Sequence, residues 1–188
     1  LPSEELGSRV SDMRFPFFGR RIDVSGGHLT YDSTNLGINF DDTSRFNQAD
    51  QIAIIAQLQH DWKLGSNLRP HTHWVQNQDE VPNALMQYRV TENGDLPGAW
   101  TEVVWDSLAF TYVSGSMLQI IKFPEIDMSG ISSVSAIIDI KLFRDASNAS
   151  GLFAGADPYT GDALMKEFDF HYQRDDMGSS QEYFKNPA

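Results

Sequence analysis

The sequence predicts an all-β chain: an antiparallel two-sheet β-sandwich, its strands wrapped as a jelly roll, behind an extended N-terminal arm. Three observations point there. From residue 70 onward apolar side chains recur at every second position, the period of a strand with one buried face. Turn residues interrupt these runs at short intervals, at Gly65-Ser66-Asn67, Glu92-Asn93-Gly94-Asp95, Pro97-Gly98, Ser114-Gly115 and Met128-Ser129-Gly130. No run of helical period lies between them, so about eight strands of this kind have to close on one another as two packed sheets. A length of 188 residues suits one such core, and 40% hydrophobic residues can build it without a disulfide or metal.

Residues 1–30 carry Gly, Arg, Ser and Pro without a sustained period and read as the arm; residues 31–188 read as the sandwich domain. Within the arm, Phe15-Pro16-Phe17-Phe18 makes a short apolar plug flanked by Arg14, Arg20 and Arg21. A plug of this kind suits its own core or a neighbouring subunit. The expectation is a subunit interface, with Trp74 as a further contact. Residues 51–59 fit a helix through Ile52, Ile55 and Ala56, but nine residues with three Ile favour a strand.

Residues 70–76 place His71, His73 and Val75 on one strand face and Thr72, Trp74 and Gln76 on the other. Residues 85–91 turn Met86, Tyr88 and Val90 inward. Residues 101–105, 108–112 and 117–123 are rich in Val, Ile, Tyr, Phe and Trp and read as further strands. Residues 134–143 line up Val134, Ala136, Ile138, Ile140 and Leu142 on one face. Residues 145–162, rich in Ala and Gly, read as a long projecting loop. The last strand alternates Phe168, Phe170 and Tyr172 with Asp169, His171 and Gln173.

The formal charge is −12, from 26 acidic against 14 basic residues. Such a field repels phosphate backbones, so nucleic acid is not an expected partner. The arginines near the N-terminus fit an acidic neighbour better. No stretch approaches the roughly 18 apolar residues of a membrane span, and Leu1-Pro2-Ser3-Glu4-Glu5 does not read as a signal peptide. Cysteine is absent, which removes disulfides, thiolate metal sites and thiol nucleophiles together.

The sharpest chemical feature is Gly65-Ser66-Asn67-Leu68-Arg69-Pro70-His71-Thr72-His73. Two histidines at i and i+2 on a strand present both imidazoles to the same side, as a metal-binding β-structure does. Glycine, five residues and His-x-His is also how the first cupin motif begins. That motif then needs a glutamate three or four residues on, whereas the next one here is Glu80. His71 and His73 are therefore expected to be structural, with no metal or other cofactor; a metal would need a further ligand such as His60, Glu80 or His171. No Gly-x-Ser-x-Gly elbow occurs. The acidic pairs Asp41-Asp42, Asp79-Glu80 and Asp175-Asp176 sit in polar turns. The four tryptophans, Trp62, Trp74, Trp100 and Trp105, suit sugar stacking, but on half-buried sheets Trp more often belongs to a core or interface.

Three stretches carry a resemblance. They are His60-Asp61-Trp62-Lys63-Leu64-Gly65-Ser66 running into Pro70-His71-Thr72-His73-Trp74, then Leu142-Phe143-Arg144-Asp145, then Glu167-Phe168-Asp169-Phe170-His171-Tyr172-Gln173 with the residues that follow. Together they resemble a poorly characterised group of structural proteins from the virions of tailed bacteriophages. The resemblance implies a virion location in the head, neck or tail, and a role in assembly rather than catalysis. It implies as partners other virion proteins and copies of the chain itself, a trimer being the expectation by analogy with other virion jelly rolls. A carbohydrate- or receptor-binding module is the alternative, and a metal-dependent cupin-type enzyme the third reading.

Overall fold

The computed structural model describes residues 10–16, 29–41, 50–106, 115 and 117–175, and these form ten β-strands and no helix. The strands are β1 (Val10–Pro16), β2 (Leu29–Asp32), β3 (Gly37–Phe40), β4 (Gln51–Gln57), β5 (Arg69–Gln76), β6 (Ala84–Thr91), β7 (Thr101–Val104), β8 (Met117–Lys122), β9 (Ile137–Arg144) and β10 (Ala163–Gln173). The sheets are antiparallel throughout. One runs β2-β3-β10-β5-β8 with β1 also on β10; the other runs β4-β9-β6-β7. Apart from the β6–β7 pair, each successive strand from β3 to β10 crosses to the opposite sheet. The resulting orders, β3-β10-β5-β8 facing β4-β9-β6-β7, are the jelly roll.

The period-two pattern explains why these residues make these strands. Ile52, Ile54 and Ala56 of β4, Ile138, Ile140 and Leu142 of β9, and Met86 of β6 point from one sheet into the space between the two. From the other sheet come Trp74 of β5 and Phe168, Phe170 and Tyr172 of β10. Phe40 and Trp74 lie 5.7 Å apart, and Phe168 meets Phe170 edge to face at 4.8 Å. The strand reading of residues 51–57 holds because Ile55, which a helix would have buried, stands 70% exposed.

Two local differences from the sequence expectation have physical causes. The strand expected over 134–143 begins at Ile137, since Ser135 adopts a left-handed φ of 69° that no strand accommodates. The stretch 145–162 is strand-free but is drawn back onto the sandwich. Arg144, fully buried, binds Asp157 through Nε at 2.7 Å and donates to the carbonyls of Phe40, Tyr159 and Gly161. The strand expected over 108–112 lies outside the described residues.

The arm needs correcting where it is described. Residues 10–16 are extended, but as β1 they pair in register with β10 of the same chain, from Val10 opposite Gln173 to Pro16 opposite Glu167. Phe15 is in the core, 6.3 Å from Phe170 and 6.4 Å from Phe168. Trp74 is 1% exposed and donates to Thr72 Oγ1. Both were expected at a subunit contact; the alternation of their strands turns them inward instead. Arg14 remains largely exposed. Phe17, Phe18, Arg20 and Arg21 lie outside the described residues.

Candidate functional site

β10 has eleven residues and uses both edges. β5 runs along one edge; β3 (at 163–165) and β1 (at 167–173) share the other. Because Phe168, Phe170 and Tyr172 fill the core, Glu167, Asp169 and His171 must face outward. The register then chooses their neighbours: Asp169 lies opposite His71, Glu167 opposite His73, Asp12 opposite His171 and Arg14 opposite Asp169. Cross-strand partners on one face are within contact distance, so the pairing alone gathers a His–carboxylate cluster.

His71 Nε2 lies 2.5 Å from Asp169 Oδ1, and His73 Nε2 lies 3.2 Å from Oδ2. The second approach is an aligned hydrogen bond. The first is the closer contact, and the buried Oδ1 makes no hydrogen bond of regular geometry. His71 and Asp169 are 5% and 2% exposed, although their face of the sheet points away from the core. Burial pushes the Asp169 carboxyl up, but the two imidazoles outweigh it and hold the group below its ordinary range. The His171 ring is 4.6 Å from that of His71, and its Nε2 meets Asp12 Oδ1 at 3.1 Å.

Among the described residues, two sets of three bring ligand atoms within 4.8 Å of one another: His71, Asp169 and His171, and His73, Glu167 and Asp169. Of the further ligands considered from sequence, His171 joins the cluster. His60 instead sits 2.8 Å from Ser135 Oγ, and Glu80 lends its backbone carbonyl to Gln76. Asp169 was the residue that sequence reasoning passed over. Its one signal was a carboxylate between two phenylalanines of a core strand.

A groove of about 440 Å³ opens beside the cluster, lined by His71 and His171 with Arg69, Asp106, Ile120 and Lys122. A second, more polar groove of about 510 Å³ also reaches His171, Arg69 and Glu125. Arg69 and Glu125 are ion-paired at 2.7 Å. The tryptophans do not line either groove. Trp62 and Trp74 are core, and the Trp100 ring lies 4.5 Å from both the Arg89 guanidinium and the Lys141 ammonium.

No family model matches the chain, and no curated protein matches it. Three solved structures share part of its layout. Dimeric latent PorU from Porphyromonas gingivalis is 9% identical, with 89% of this chain and 13% of that one covered and a TM-score of 0.35. The infectious bursal disease virus Gx strain structure is 9% identical, with 93% and 36% covered and a TM-score of 0.39. TmCBM61 in complex with β-1,4-galactotriose is 13% identical, with 90% of each chain covered and a TM-score of 0.36. The chain thus spans 13% and 36% of the first two. At these values none of the three assigns a function.

Proposed function

We propose that the chain is a structural subunit of a bacteriophage virion, working by assembly with copies of itself and with other virion proteins and catalysing no reaction. The observation that carries the reading is the exposed aliphatic face of β8. This strand ends the order of its sheet among the described residues, and Leu118 and Ile120 stand 60% and 43% exposed on its outer side. Exposed aliphatic side chains on a sheet face invite a neighbouring chain. The resemblance adds support of its own, and two of the stretches that carry it, Pro70-His71-Thr72-His73-Trp74 and Asp169-Phe170-His171-Tyr172, lie on the paired strands β5 and β10. Sedimentation of the full chain at micromolar concentration tests assembly, with a trimer expected. Mass spectrometry of purified particles tests location. A strict monomer absent from particles removes the reading.

The polar groove at Arg69, Glu125 and His171 favours one second reading, a carbohydrate- or receptor-binding module. Glycan-array binding that disappears in Arg69→Ala supports it, and an empty array removes it.

A further inference from the structure

We propose that His71, Asp169 and His171 bind one divalent transition-metal ion on the outer face of the sheet, with two imidazole nitrogens and one carboxylate oxygen as protein ligands. Their ligand atoms lie within 4.8 Å of one another, and no loop has to move to gather them, since all three project from the paired strands β5 and β10. Two of the three are more than nine-tenths buried. Within that buried pair, Asp169 Oδ1 stands 2.5 Å from His71 Nε2 without a hydrogen bond of regular geometry. Two ligands of one tetrahedral zinc stand about 3.4 Å apart, given metal–ligand bonds of about 2.1 Å. A small outward relaxation of His71 or Asp169 therefore admits an ion between the two atoms.

The surroundings suit a cation. His73 holds Asp169 through Oδ2, and Asp12 holds the His171 ring, the outer contacts that orient metal ligands. The groove beside His71 and His171 supplies an entry path and room for a water as fourth ligand, and Asp106 adds a carboxylate to its wall. The neighbouring set, His73, Glu167 and Asp169, is the poorer site, because the Arg14 guanidinium stands 4.0 Å from Glu167 and opposes a second positive charge. Nitrogen and oxygen donors without sulfur select zinc, iron(II), cobalt(II) or nickel(II) over calcium and magnesium. The ion would cross-link β5 to β10 at the centre of the sheet.

The inference stands apart from the virion reading and is tested without particles. Full chain, purified without an affinity tag and stripped with chelator, is titrated with zinc chloride by calorimetry. It is titrated separately with cobalt(II) chloride, read by visible absorption. One equivalent bound at micromolar or better affinity is expected, with the cobalt bands of imidazole and carboxylate ligation. His171→Gln, a change at a half-exposed ring, is expected to weaken binding at least about tenfold with an unchanged far-UV spectrum, while Glu167→Gln binds as the parent does. Absence of binding by the parent overturns the inference. So does a pattern in which Glu167→Gln loses the ion and His171→Gln keeps it.

Discussion

His71 on β5 and Asp169 on β10 are direct cross-strand partners whose side chains meet 2.5 Å apart, both buried on the sheet face that points away from the core. A buried carboxylate in that position depends on its imidazoles. Removing one partner of such a pair strands a charge in low dielectric, which costs about 3–5 kcal/mol. His71→Ala is expected to lose that much in equilibrium denaturation. His71→Gln with His73→Gln, which keeps hydrogen-bond donors near Asp169, is expected to lose only about 1–3 kcal/mol. Equal losses in the two variants would show that neutral hydrogen-bond donors cannot replace the imidazoles beside the carboxylate.

Phe15 tests whether β1 belongs to its own sandwich. Its ring packs on Phe168 and Phe170. Phe15→Ala is expected to destabilise the chain by about 3–5 kcal/mol, by the same amount at low and high protein concentration. A loss that grows on dilution would place the ring in an interface between chains.

Gly37 has a steric requirement of its own. A Cβ there would stand 2.6 Å from the Met165 carbonyl oxygen, a backbone atom held by the β3–β10 pairing. Gly37→Ala is expected to cost about 1–3 kcal/mol by overpacking, visible as a lowered denaturation midpoint. A neutral result would mean that β3 can shift away from β10.

Glu92 gives a pH dependence with a definite sign. Its Oε2 accepts from the Ser132 amide and from the Ser132 and Ser133 hydroxyls at 2.8–3.0 Å. Partial burial pushes the carboxyl up, but these donors outweigh it and hold it below its ordinary 4.5. A carboxyl depressed in the folded state contributes stability above its unfolded value, lost as pH falls through the lowered one. The parent is thus expected to exceed Glu92→Gln by about 1 kcal/mol at neutral pH, with the gap closing as pH falls below 4.5. A gap that does not change between pH 7 and pH 3 sinks the assignment.

Alternation is local, so the sequence by itself determined which face each side chain of β5 and β10 takes. His71 and His73 were legible as one pair, and Asp169 and His171 as outward residues of the last strand. Residues 51–59 leaned toward a strand through their short span and three Ile, and β4 occupies Gln51–Gln57. The short strands β2 and β3, four residues each, offer too few positions to show a period, and Pro16 ends β1 just as its pattern begins. Only the tertiary structure decided that β10 lies beside β5, that Asp169 stands opposite His71, and that His60 stays apart. Strand pairing across 98 positions is a choice among registers made by the packing of Trp74, Phe168 and Phe170 in the core, and a one-residue slip would have sent Asp169 inward. The chain therefore carries its ligand types openly, while their meeting is a property of the wrapped sandwich.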